Sequence, residues 1–499
     1  MTVSLPFSHN MKRITAILVI ANCFITSAAG FTVRGSVFMD SNRNGIIDKG
    51  EKGICGILVS NGEDIVKTDC NGRYSIKSAG NASIFPILKG KFRISTAKSQ
   101  NSAFKLIGNK DSVVNFGLER RPDDKVFTLN AVGDVQVGSP EELEYADRSI
   151  FTELMSQDPK RMNIFMGDEV NERMDLLQPI LKDIGSLPQE SWTMIGNHDR
   201  DDSLTFDKTF GARNFAFERG NFFFIMLDNV FNTGKRSYRG HLTERQLNFI
   251  SNCISYVKSK KHIVLCAHIP FWETDNFNEV VSMLKGRGDV LAISAHLHEI
   301  ERHITEGDGV TINEVSVGAA CGHWWTGERN WEGVPDAIMN SGAPRGYFVF
   351  NFNEKGYSFR FKGIGLDPEK QMSINISGID NVETQVDSLK NRRIDDIYIT
   401  VFGGCDSTLV KCKVDDGKWM FAKKINAMDA NVAITRELNK GKAYPSQFSK
   451  MNPLRRLPSK QLWYLGRSVS DGAGTHHVEI IAYDRYGFTA KCSRTFSNQ

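Results

Sequence analysis

The sequence predicts an α/β domain held between two β-sandwiches, and three observations predict it. Five apolar runs of buried-strand type lie between residues 126 and 294, each closed by a carboxylate, amide or imidazole side chain. Before them, short strand-like runs surround an Asn/Asp/Gly loop. After residue 362 short alternating runs return, separated by Gly and Asp turns. A chain of 499 residues with 40% hydrophobic content can bury several cores, so division into residues 1–29, 30–120, 121–365 and 366–499 is expected.

At the N-terminus, Lys12-Arg13 precedes the apolar run Ile14 to Ile25 and then Ser27-Ala28-Ala29. A basic start, a hydrophobic middle and a small-residue cleavage site, in that order, read as a secretory signal peptide cut after Ala29. The mature protein is then expected in the periplasm, at the cell surface or outside the cell. The run is too short for a membrane span, and no transmembrane helix is expected in the mature chain. Asn22 is a poor lead-in to lipidation of Cys23, a modification the sequence leaves open.

In the next segment Thr32 to Phe38, Gly56 to Ser60 and Thr68 to Ile76 read as strands around a loop running from Asp40 to Glu51. That loop matches the D-x-[DN]-x-[DN]-G spacing closed by Glu. The oxygens of Asp40, Asn42, Asn44, Asp48 and Glu51 suit a structural calcium ion, and Gly45 permits the bend. A polar turn with no ion is the plain alternative. Export permits disulfides, with Cys55 and Cys70, or two among Cys405, Cys412 and Cys492, as open pairings. Cys253 and Cys266 sit in apolar segments and read as buried thiols.

The five central runs are Val126 to Val132, Met162 to Met166, Ser191 to Ile195, His262 to Ala267 and Asp289 to Ser294. They are followed by Asp134-Val-Gln136, Gly167-Asp168-Glu169, Gly196-Asn197-His198-Asp199, His268 and His296-Leu-His298. Functional groups of α/β sheets gather beyond the carboxyl ends of the strands, so ligands far apart in sequence can converge there. A carboxylate can bridge two divalent cations, and imidazole and amide oxygen complete the shells without over-neutralising them. Any one of these groups alone would be an ordinary turn residue. Five in succession point to one site.

Over residues 126 to about 362 this order resembles the calcineurin-like metallophosphoesterases, with their pattern D-x-H, G-D, G-N-H-[DE], H and G-H-x-H. The resemblance implies a two-sheet α/β sandwich and two divalent metal ions, drawn from Mn, Fe, Zn or Mg. Asp134, Gln136, Asp168 and His298 would hold one ion, and Asp168, Asn197, His268 and His296 the other. His198 would stay unligated as general acid. The implied reaction is hydrolysis of a small phosphorylated substrate, in which the cations polarise the phosphoryl oxygens and supply a bridging hydroxide while His198 protonates the leaving oxygen. Gln136 stands where the commoner pattern has His, and its harder amide oxygen favours Mn or Mg over Zn or Fe. Ala295 replaces a Gly that is not a ligand and bears only on the turn before His296.

Arg200 and Arg345 are weaker candidates for phosphate contacts, against a reading as solvated charges. The stretch from Gly318 to Gly346 is too rich in Gly and aromatics for a regular element. It is placed to wall the cleft, with His323 and Trp324 at the substrate and Trp324 and Trp325 as platforms for an organic leaving group, or else to form a packed Trp cluster. With both flanks, this loop resembles exported multidomain phosphoesterases of Bacteroides-type bacteria, and the N-terminal segment is similar to small β-sandwich repeats of bacterial surface proteins.

Toward the C-terminus, Asp395 to Phe402, Leu409 to Val414, Lys418 to Phe421 and His477 to Tyr483 are expected strands of the second sandwich. Leu438 to Lys460 reads as a long loop. With 62 basic against 58 acidic residues and a net charge of +4, there is no nucleic-acid footprint. Two other functions stay open. One is a phosphodiesterase or pyrophosphatase acting on nucleotide- or lipid-type substrates. The other is a non-catalytic surface-binding protein that retains the fold, which degenerate ligands would favour, whereas only Gln136 departs from the commoner set. Oligomeric state is not specified.

Overall fold

The computed structural model describes residues 30–96, 100–234, 237–258, 260–380, 396–440, 454–466 and 473–498. The expected signal peptide and Cys23 lie outside the described residues. Among those residues no helix is long and apolar enough to cross a membrane.

The fold is a two-sheet α/β sandwich flanked by β-domains. The first central sheet runs in the order Glu190–Thr193, Met162–Phe165, Phe127–Val132, Gly346–Asn353, Gly356–Gly363. Its first three strands are parallel, and the last two are added antiparallel. The second sheet runs Phe215–Arg219, Phe222–Leu227, His262–Ala267, Gly288–Ser294, Val310–Val317, Ile300–Gly307, parallel through its four inner strands. Strands covered on both faces read as unbroken apolar runs rather than alternating ones, which is why Phe222–Leu227 is buried at every position. Phe127 and Phe352 from the first sheet stack at 4.8 Å and meet Phe222 of the second at 6.1 and 4.6 Å, forming an aromatic seam between the sheets.

The N-terminal strands form two small sheets. One pairs Phe31–Met39 with Arg73–Ser78 and Phe116–Arg120, and the other pairs Leu58–Ser60 with Ile65–Lys67 and Ser83–Ile87. This domain rests on the edge strands of both central sheets. Gln100 exchanges hydrogen bonds with the backbone of Thr193, and Leu88 bridges to Phe217. The Cys55 and Cys70 sulfurs face each other at 3.8 Å, whereas Cys253 and Cys266 are buried thiols.

The C-terminal region packs the sheet Met372–Ile376, Ile397–Val401, Leu462–Leu465, Lys423–Lys424 with the sheet Met420–Phe421, Leu409–Val414, Gly474–Tyr483, Thr489–Asn498. Two expectations need correction here. The reading of 438–460 as loop overlaps a helix, Ala430–Lys440, whose first turn is capped by the Asp429 carboxylate accepting from Asn431 and Val432 N–H. Cys412 and Cys492 both lie opposite Ile480, on strands to either side of it. Two strand spacings separate them, roughly 9–10 Å, beyond disulfide reach.

The two domains are joined by an Arg302–Asp484 ion pair from which solvent is fully excluded. Arg302 also donates to Gly403 O at 3.1 Å and lies over the Phe359 and Phe488 rings.

Candidate metal centre

Each of the five motifs lies just past the carboxyl end of a parallel strand, three from the first sheet and two from the second. The crevice is where those ends meet. Backbone bonds lock the loops together: Met166 N–H donates to Val132 O at 2.8 Å, Gln136 N–H to Asp168 O at 2.8 Å, and Ala295 N–H to His268 O at 3.0 Å.

Five of the side chains stand on left-handed backbone, with φ of 46° at Asp134, 46° at Gln136, 56° at Asp168, 70° at His296 and 53° at His298. For a residue with a Cβ this conformation costs about 1–3 kcal/mol and persists only where the surroundings impose it. Here it turns consecutive ligand-type side chains inward. Ala295 keeps ordinary φ and the turn closes through Leu297 N–H to Ala295 O at 2.8 Å, so the site does not require Gly there. Gly196 is different: a Cβ on it would stand 2.1 Å from Asp168 Oδ1.

The donor atoms of Asp168, His268 and His296 lie within 4.8 Å of one another. His268 Nε2 is 3.2 Å from Asp168 Oδ2, 3.1 Å from Asn197 Oδ1 and 3.3 Å from His296 Nδ1. His268 Nδ1 is directed to Met166 O at 2.9 Å, which fixes the ring so that Nε2 faces the cluster. On the other side, Gln136 Nε2 is 3.5 Å from Asp168 Oδ2, and His298 Nε2 is 3.6 Å from Asp134 Oδ1. His298 is oriented by Gly322 O at 2.9 Å from its Nδ1. Asp168 Oδ2 therefore faces both groups, while its Oδ1 accepts from His198 N–H at 2.8 Å.

Asp134 Oδ1 and Gln136 Oε1 are buried without a hydrogen-bond partner, as are both oxygens of Glu169. A buried polar atom left unpaired costs about 1–3 kcal/mol, and a divalent cation would satisfy the oxygens of Asp134 and Gln136. The donor set, hard oxygens with imidazole, fits divalent metals of the Mn, Fe, Zn and Mg group.

Electrostatics agree. Burial alone would raise the Asp168 carboxyl, but His268, by charge and hydrogen bond, holds it far below its usual value. Burial likewise works against charge on His268, yet Asp168 and then Asp134 lift it to about 9. Burial, then the His268 charge, takes His296 down to about 3, and burial takes His298 to about 4, leaving both as neutral imidazoles ready to coordinate. Burial pushes Asp134 and Glu169 well above the ordinary carboxylate range.

His198 stands apart from the cluster. Its side chain is partly exposed, its Nδ1 lies 3.9 Å from Glu172 Oε1, and its ring meets the Trp324 ring edge-on at 5.9 Å. Half-buried Trp324 also stacks on His298 at 4.6 Å and so forms one wall of the crevice.

Other candidate side chains lie elsewhere. Trp325 is no platform: it is core, donating from Nε1 to Val135 O at 2.9 Å. Arg345 is neither a solvated charge nor turned to the cleft. It is buried, donates to Ser149 Oγ at 3.0 Å and lies over the Trp325 ring. Arg200 is not a free surface charge either, because it pairs with Asp228 and donates to Gly196 O, bracing the loop that carries Asn197 and His198. His323 is packed inside its loop, its Nδ1 3.5 Å from the Asn340 amide. Asp40, Asn42, Asn44, Asp48 and Glu51 belong to the N-terminal domain and take no part in this cluster.

Sequence reasoning gave no role to two residues that matter here. Asp199 accepts from the N–H groups of Asp168, Val170 and Gly196 at 2.7–3.1 Å, tying two ligand loops together; burial, then the Asp168 charge, lift it to about 7. Its place after Asn197-His198 was the available signal. Tyr238 stands against His296, ring centroids 5.7 Å apart, and no motif announced it.

A two-sheet sandwich with buried carboxylate, amide and imidazole donors at its strand ends defines a metal-dependent phosphoesterase. Two family models match the chain, the C terminal of calcineurin-like phosphoesterase over residues 314–489 and the N terminal of calcineurin-like phosphoesterase over residues 41–121. The chain belongs to the calcineurin-like metallophosphoesterases, metal-dependent hydrolases of phosphoric esters. Among solved structures it is similar to the purple acid phosphatase PPD1 from yellow lupin (Lupinus luteus) seeds, with 13% identity and a TM-score of 0.34 over 62% of this chain and 67% of that one. It is also similar to the Clostridium perfringens spore cortex lytic enzyme SleM, with 12% identity and a TM-score of 0.19 over 76% of this chain and 100% of that one. None of the curated proteins matches.

Proposed function

We propose that this protein is an exported phosphoesterase that binds two divalent cations and releases an alcohol from a small phosphorylated substrate. Asp134, Gln136, Asp168 and His298 would hold one cation, and Asp168, Asn197, His268 and His296 the other. The observation that carries this reading is the Asp168, His268 and His296 cluster, beside which Gln136 Nε2 reaches Asp168 Oδ2 and the buried Asp134 Oδ1 and Gln136 Oε1 have no hydrogen-bond partner. When bound, such ions supply hydroxide at neutral pH and neutralise charge on the phosphoryl oxygens.

The chain's own residues do the rest. Asp199 holds the Asp168 and Gly196 loops in register, and Met166 O and Gly322 O set the imidazole orientations. His198, held outside the cluster with its backbone bonded to Asp168, is positioned to give a proton to the leaving oxygen. Export rests on the order of charges and apolar residues in 12–29. For the Asp40–Glu51 loop we propose calcium as a structural ligand.

The test is turnover of a chromogenic monoester and a chromogenic diester by protein reconstituted with Mn, Zn or Mg. Metal-dependent turnover of either ester supports the reading, and no turnover with any metal overturns it.

A further inference from the structure

The residues Val230–Gly234 and Ser237–Gly240 form a two-stranded ribbon that belongs to neither central sheet. Its base is stitched to the segment directly after His268. Asn229 donates to Ile269 O at 2.7 Å and to Thr274 Oγ1 at 2.9 Å, and Ile269 N–H returns a bond to Asn229 Oδ1 at 3.1 Å. His241 and Arg239 both reach Asp275, at 2.6 and 3.1 Å, and Asp275 N–H donates to Gly240 O at 3.0 Å. The ribbon is therefore fixed to the segment after His268 at its base, through both of its strands.

Tyr238 is the ribbon residue that reaches the site. Its ring stands edge-on to His296 at 77°, and 40% of the residue is open to solvent. Trp324 covers the other flank, against His298 and His198. Two partly exposed aromatic side chains thus stand against the His296 and His298 imidazoles, and neither ring is sealed in a core. Aromatic faces at a polar site take up planar groups by stacking without demanding particular hydrogen bonds.

We propose that Tyr238 is a substrate-binding residue which, with Trp324, grips a planar ring carried by the leaving alcohol, so that aryl phosphates and nucleoside monophosphates are preferred over esters of small aliphatic alcohols that carry no ring. The proposal rests on the phosphoesterase reading above and names its substrate class.

The experiment compares kcat/KM for an aryl phosphate, a nucleoside monophosphate and glycerol phosphate in the metal-reconstituted full chain and in Tyr238→Ala, Tyr238→Phe and Trp324→Ala. Tyr238→Ala is expected to lower kcat/KM for the two ring-bearing esters about tenfold, mainly through KM, and to leave glycerol phosphate within about twofold. Tyr238→Phe keeps the ring and should keep the selectivity. Equal losses on all three esters, or a Phe variant as impaired as the Ala variant, would overturn the assignment. A wild-type enzyme that turns over all three esters without preference also overturns it while leaving the phosphoesterase reading standing. A wild-type enzyme that turns over none with any metal overturns that reading itself.

Discussion

The crevice around Asp168 and the Asp40–Glu51 loop draw on the same oxygen-bearing residue types, but their oxygens are engaged differently. In the loop, Asp40 accepts from the Gly45 and Asn44 N–H groups and from Ser95; Asp48 accepts from the side chains of Asn42 and Asn44; and Glu51 accepts from Ser41 and Asp48 N–H. Most carboxylate oxygens of that loop already accept from protein donors. In the crevice, Asp134 Oδ1 and Gln136 Oε1 have no partner and the backbone of five ligand-type residues is held left-handed. Residue type is thus a weak guide to cation demand. Unsatisfied oxygens on left-handed backbone at adjoining strand ends are a better one.

The largest expected effect tests the crevice at its centre. Asp168→Asn keeps the shape but removes the charge that faces both half-sites, so it should lose both metals and bring turnover to background. Metal content measured alongside activity checks this, and a variant that keeps its metals would break the contrast drawn above.

Next comes His198→Ala. Because His198 stands outside the cluster, the variant should keep both metals and lose about 10²–10⁴-fold in kcat, most severely for poor leaving groups. Metal loss comparable to that in Asp168→Asn would move His198 into the coordination set.

Gln136→His gives a smaller, directional effect. Imidazole in place of the orphaned amide oxygen should shift preference from Mn toward Zn or Fe, by about tenfold in relative affinity. An unchanged ranking in competition titrations would mean that Gln136 Oε1 does not coordinate.

The smallest effect belongs to the self-satisfied loop. With a dissociation constant of about 10⁻³ M, ten millimolar calcium would stabilise the folded state by only about 1.4 kcal/mol. Asp40→Ala combined with Glu51→Ala should abolish the calcium-dependent rise in melting temperature of the full chain and leave turnover nearly unchanged. No calcium effect on the wild-type melt would make this loop an ordinary polar turn.

Much of this centre was legible because its parts are local. An apolar run followed at once by Asp, Asn or His announces both the strand and the group at its end, whatever the run pairs with. Residues whose role is fixed by distant partners were not legible in the same way. Arg345 and Trp325 read as cleft candidates until Ser149 and Val135, 196 and 190 positions away, account for them. Arg200 is explained by Asp228, and Tyr238 by a ribbon whose anchors lie past His268. The helix Ala430–Lys440 escaped because the Lys, Arg, Pro and Ser of the following stretch dominate its composition. The contrast between orphaned and self-satisfied oxygens is a property of folded loops that a spacing pattern cannot carry.

The sealed Arg302–Asp484 pair makes one catalytic-domain strand depend on the far end of the chain. Arg302 lies four residues beyond His298, on the strand that leaves the ligand turn, and its counter-charge comes 182 residues later in the chain. Without it the strand carries a guanidinium that has no anion to bury against, and closing the sandwich around it would cost several kcal/mol. A polypeptide cut short of Asp484 would carry that guanidinium unpaired into the fold, so the far end of the chain is needed to close the strand that leaves the ligand turn.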